Sequence, residues 1–182
     1  MSLSTYSQMM LATLFSLVLL IARGVYPYMP GYLKPCWAVF FLTGMYLSSG
    51  WAFLAMLALV ICVDAYVEAG PGLNFFRSCM TRAYIFLAPA YAALWWAGDW
   101  YSRHHSLEQL SFVHLYLSLI AGATVAQLLS SGGFYFFSGY FPQPNLREFA
   151  QRERAFYPRY LATAICYVAI ACVVHLVAMT LR

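Results

Sequence analysis

Charge is what this sequence has least of. Across 182 residues it carries ten Lys or Arg and six Asp or Glu, 9% in all, against 63% hydrophobic residues. A soluble domain has about a quarter of its residues charged, so a water-exposed globule is excluded. The long uncharged runs, near the ~20 residues that cross a bilayer, predict a polytopic membrane protein. Cysteine spacing excludes more: five cysteines with no C-x-x-C pair give neither a disulfide framework nor a zinc site. The first apolar stretch lacks a basic leader and an A-x-A site, so it reads as a first transmembrane helix rather than a cleaved signal. There is no Ser/His/Asp arrangement, no phosphate-cradling Gly loop, no paired-carboxylate pattern and no internal repeat. The net charge of +4 is scattered among loops, not gathered into a nucleic-acid-binding stripe.

Rings, by contrast, are abundant. Aromatic residues reach 19%, more than interfacial belts need, and predict that loops or a cavity are also lined with them. The apolar segments predict an all-α membrane protein of six transmembrane helices, one integral membrane domain over residues 1–182. Helix one is expected from Tyr6 to Ala22, ending at Arg23-Gly24; Pro27, Pro30, Gly31 and Pro35 then mark a Tyr-rich loop. Nothing between Lys34 and Asp64 is charged. That run would make roughly 43 Å of helix, too long for one comfortable crossing. Ser48-Ser49-Gly50 divides it into a hairpin, Cys36 to Leu47 and Trp51 to Val63. Helix four is expected over Ala83 to Gly98 with a kink at Pro89, followed by a polar connection, Asp99 to Gln109. Helix five is expected over Ser111 to Ser131, with the aromatic run Phe134 to Phe141 as a cavity wall, and helix six over Tyr160 to Leu181. Loops 24–35, 67–78 and 133–158 then share one side, and their basic residues would by simple counting face the cytoplasm.

Chemistry is expected first at Cys79. With Ser78 as N-cap it falls in the first turn of helix four, between Arg77 and Arg82, where the helix dipole and two cations favour a thiolate, a nucleophile and soft metal ligand. Cys36 is the other cysteine near the same mouth; Cys62, Cys166 and Cys172 read as packing residues. Asp64 and Glu68 stand at a membrane edge, either as site carboxylates or as solvated ones. Arg147, Arg152, Arg154 and Arg159 would mostly pair with Glu148 and Glu153, one of the arginines remaining to meet an anionic ligand group. His114 and His175, expected toward the same membrane face as each other, support a different class: a haem-bearing or quinone-interacting subunit with paired axial ligands. His104 and His105 read as solvated. A structural anchor subunit is a third possibility.

Arg23 with its Tyr/Pro loop, Val63-Asp64-Ala65-Tyr66, Arg77-Ser78-Cys79, Ser130-Ser131-Gly132-Gly133-Phe134-Tyr135 and Arg152 together resemble the six-helix S-components of energy-coupling-factor vitamin transporters. Within them the chain is most similar to the solitary cobalamin transporter family called BtuM. The resemblance implies an S-component-like bundle in the inner membrane, with cobalamin (vitamin B12) held on the periplasmic face between the first, third and fifth loops. It implies that Cys79 ligates the cobalt and removes the cyanide of cyanocobalamin, and that Tyr28, Asp64, Arg77, Tyr84, Phe134, Tyr135 and Arg152 are candidate substrate-binding residues. No cofactor beyond the bound cobalamin is implied. The small residues four apart by which S-components dock on a shared subunit are approximated here only by Ala12 and Ser16, which implies action without an energy-coupling module.

Overall fold

The structure is a computed structural model and describes residues 5–25, 30, 33–47, 49–68, 82–105 and 111–180. Six α-helices are formed among the described residues, and no strand: α1 (Thr5–Leu20), α2 (Cys36–Leu47), α3 (Gly50–Glu68), α4 (Leu87–His104), α5 (Phe112–Phe137) and α6 (Leu146–Thr180). A π-helical turn, Ile21–Val25, extends α1, and a 3-10 turn, Arg82–Phe86, leads into α4.

Each long helix shows a narrow buried stripe and a broad exposed apolar face. In α1 the buried residues are Phe15 and Leu19, continued by Ala22 in the π turn, while Met9, Met10, Leu14, Leu17 and Ile21 are exposed. In α6 the stripe is Ala164, Val168 and Cys172, with Ile170, Val173, Val174 and Val177 facing out. Water would penalise so much exposed hydrocarbon, whereas lipid does not. Four helices, α1, α3, α5 and α6, are long and apolar enough to cross a bilayer. The chain is a helical membrane protein.

Helix α2 differs. Ten of its 12 residues are buried, so neighbours surround it, and at about 18 Å it is short for a crossing. Its packing on α4 is set by two glycines. A Cβ on Gly44 would lie 1.9 Å from the Trp95 carbonyl oxygen, and one on Gly98 2.0 Å from that of Phe41. Only hydrogen at these positions lets the two backbones touch, as small residues do in membrane helix pairs.

Several boundaries differ from the sequence expectations: α3, expected to end at Val63, runs to Glu68. Helix α4 continues past Gly98 to His104, because Asp99 and Tyr101 turn into the bundle and are buried; Arg103, one turn on, donates to Asp99 Oδ2 at 2.7 Å. Pro89 lies in the first turn of α4, where no intrahelical N–H is required, so it begins the helix rather than kinking its middle. Helix α5 runs on through Gly132-Gly133 to Phe137: a Cβ on Gly133 would strike the Phe86 ring at 2.4 Å, so the glycine serves close packing and does not break the helix.

Helix α6 starts at Leu146, not Tyr160. Asn145 caps it, its Oδ1 accepting the Glu148 N–H at 2.9 Å while its Nδ2 meets Glu148 Oε2 at 3.5 Å, a reciprocal cap. Its 35 residues, with Pro158 inside, make about 52 Å of helix. The charged N-terminal part therefore extends beyond what a bilayer covers, and most of the expected loop 133–158 is helix.

Candidate functional site

Consecutive helices run in opposite senses, so the C-terminal ends of α1, α3 and α5 meet the N-terminal ends of α2, α4 and α6. Arg23 ties four of these ends together. The π turn, which inserts an extra residue per turn and recurs at functional sites, moves Arg23 off the regular register of α1. Its guanidinium forms an ion pair with Asp64 in the last turn of α3. The other terminal nitrogen donates to the Tyr91 hydroxyl on α4 at 2.9 Å, and Nε donates to Cys36 Sγ at the start of α2 at 3.4 Å. A planar five-donor fork suits this branching, which a lysine could not reproduce. The same Asp64 oxygen, Oδ2, also accepts from the Tyr84 hydroxyl at 2.9 Å. The side chains of Arg23 and Asp64 retain 14% and 22% exposure, so the pair is mostly withdrawn from water and offsets its desolvation through these added hydrogen bonds.

Beside this cluster lies a cavity of about 470 Å³ bounded by α1, α2, α4, α5 and α6, within the usual range for small-molecule sites. One part of its wall is polar: Arg23, Lys34, Gln127, Ser130, Ser131 and Arg152. The other is aromatic, with Trp37, Tyr91, Phe134, Tyr135, Phe141, Phe156 and Tyr160, and Cys36 contributes a buried thiol. The carbon-rich walls would bind flat apolar surface, and the convergent polar groups would orient it.

The α5–α6 side is built by acids reaching hydroxyls. Glu153 accepts from Ser131, and Glu148 Oε2 accepts from the Tyr135 hydroxyl at 3.0 Å, which in turn accepts the Asn145 N–H at 3.2 Å. The expected pairing of these glutamates with neighbouring arginines is thus replaced, for both, by bonds across to α5. Arg152 instead stacks on rings, its Cζ 4.7 Å from the centre of Phe141 and 5.8 Å from that of Tyr135.

Of the site residues expected from the sequence, Phe134, Tyr135 and Arg152 line the cavity. Asp64 and Tyr84 bond to each other beside it. Tyr28, Arg77 and Cys79 lie outside the described residues, as does the side chain of Arg82. Cys172 is buried, in keeping with packing, but Cys62 and Cys166 are exposed, on faces where the helices present hydrocarbon to lipid. His114 bonds Ser111 at 2.7 Å and stacks on His105 at 4.4 Å, while His175 packs on Tyr46 at 5.6 Å. Among the described residues no group of three His, Cys, Asp or Glu could hold a bare metal ion.

Arg23, Tyr91 and Gln127 also belong to the site, beyond the residues expected from the sequence. Arg23 had a signal: it is the first charge after an uncharged helix and faces the next carboxylate, Asp64, across a predicted hairpin. Tyr91 and Gln127 had none, since a ring or an amide inside an apolar run does not reveal which way it points.

Fold and site define a helical membrane protein with an aromatic, cation-bearing cavity at one end of its bundle. Compared with known proteins, the chain matches no family model and no curated sequence.

Proposed function

We propose that this chain is a cobalamin-binding uptake protein of the inner membrane, built as a six-helix S-component-like bundle, with Cys79 as the cobalt ligand and decyanating group. The observation that carries this reading is the cavity, which combines seven rings with convergent polar groups at the bundle end where Arg23 ties α1, α2, α3 and α4 together. A corrinoid is a flat, amide-fringed ring, and such walls suit both its face and its fringe. It is larger than about 470 Å³, so the described walls account for one side of the ligand. Cys79 stands three residues before Arg82, which opens the turn carrying Tyr84. As a soft donor, a thiolate takes an axial position on cobalt as cyanide departs.

The test is decyanation of cyanocobalamin by purified protein, wild type against Cys79→Ser. The serine variant is expected to lose the activity and to change the spectrum of the bound corrinoid, while Cys166→Ser and Cys172→Ser retain both. Decyanation by Cys79→Ser at the wild-type rate would remove Cys79 from the mechanism.

A further inference from the structure

The cavity wall is unbalanced in charge. It holds three cationic side chains, Arg23, Lys34 and Arg152, and no carboxylate. Asp64 neutralises Arg23 from outside the lining. Glu148 and Glu153, the acids nearest Arg152 in sequence, are turned toward Tyr135, Asn145 and Ser131, and no carboxylate lies within ion-pair distance of Arg152 among the described residues. Its guanidinium is held on the Phe141 and Tyr135 rings, and the Tyr135 ring is itself fixed through its hydroxyl. A stacked guanidinium keeps its N–H edge free for two parallel hydrogen bonds, the geometry that recognises phosphate or carboxylate. Gln127, 5% exposed, and Ser130 bring further hydrogen-bonding groups to the same cavity.

We propose that Arg152 is a specificity-determining residue that reads an anionic oxygen group on a ring-bearing ligand. Resting on the corrinoid reading above, that group is the phosphodiester of the nucleotide loop, the one anionic group on an otherwise amide-fringed molecule. Arg152 forms no bond to cobalt and takes no part in cyanide removal. It selects complete cobalamin over corrinoids that lack the phosphodiester.

The experiment measures equilibrium binding of cyanocobalamin and of dicyanocobinamide, which lacks the phosphodiester, to the full chain in nanodiscs. Wild type, Arg152→Gln and Arg152→Lys are compared. A charge-assisted pair of this kind is expected to favour cobalamin by about tenfold or more in wild type. In Arg152→Gln that preference is lost while cobinamide affinity is unchanged, and Arg152→Lys restores part of it. Unchanged cobinamide binding also shows that the variant is folded. Equal loss of both ligands would make Arg152 a structural residue, and no loss of either would remove it from the site; each overturns the inference while leaving corrinoid binding intact. Failure of wild type to bind either ligand would instead sink the corrinoid reading and the inference with it. Lipid headgroups share this chemistry, so nanodiscs with and without phosphatidylglycerol form a second arm. A cobalamin preference that persists in both assigns the contact to the ligand, and one abolished by the anionic lipid assigns Arg152 to the membrane surface and overturns the inference.

Discussion

Replacing Asp64 by Asn tests the hub on which the described site depends. The substitution removes one negative charge yet leaves an amide oxygen able to accept the Tyr84 hydroxyl, so it isolates the ion pair. Arg23 would keep only neutral acceptors among its described partners, Tyr91 and Cys36. Stranding one charge of a fully buried pair costs about 3–5 kcal/mol, whereas exposed pairs are worth about 0–1 kcal/mol. With side-chain exposures of 14% and 22%, this pair lies nearer the buried limit, and we expect a loss of about 2–3 kcal/mol. The assay is reversible unfolding in bicelles followed by tryptophan fluorescence, with Arg23→Met, Asp64→Leu and their double variant completing a cycle. Since removing both charges relieves the stranded cation, the double variant should be less destabilised than the sum of the singles. Asp64→Asn within about 0.5 kcal/mol of wild type, together with strictly additive singles, would refute the claim that this pair holds the helix ends together.

Gly98→Ala should destabilise by about 1–3 kcal/mol, because its Cβ would lie 2.0 Å from the Phe41 carbonyl oxygen and force α2 and α4 apart. Gly132→Ala, whose nearest neighbour would be Phe149 at 3.6 Å, should be neutral or slightly stabilising in the same unfolding assay. Ligand-free protein should alkylate at Cys79 at a pH clearly below the ~8.5 of a free thiol; a rate profile that ignores Arg77→Gln and Arg82→Gln and rises only above that value would mark an inert cysteine. His105, beyond the end of α4, is held below its usual 6.5 by desolvation first and then by His114 and His104. The unfolded chain therefore binds the proton more readily, and stability should rise with pH between the lowered value and 6.5. Titration of the His105 ring by NMR at or above 6.5 would contradict this.

Much of the fold was legible because a bilayer enforces simple rules. The uncharged run between Lys34 and Asp64 with its Ser-Ser-Gly break located α2 with its observed bounds, Cys36–Leu47. Boundaries failed where tertiary contacts override composition. Asp99 reads as a solvated loop residue, yet Arg103 one turn later lets it enter the bundle. Gly132-Gly133 reads as a break, yet Gly133 only makes room for Phe86. The start of α6 was readable in principle, since Asn145 followed three residues on by Glu148 is a capping-box pattern; the proline and charge around it suggested a loop instead. In the site, Arg152 and Tyr135 carried signals of charge and aromatic clustering. Gln127 acquires its position only when α5 turns that face inward.

The most direct test of the central claim is the visible spectrum of the chain purified from cells supplied with cyanocobalamin. Corrinoid bands are expected to co-purify with wild type and to shift in Cys79→Ser. A Soret band with reducible α and β bands would instead establish a haem protein and direct attention to His114 and His175, and colourless protein that takes up no cobalamin on addition would contradict corrinoid binding outright.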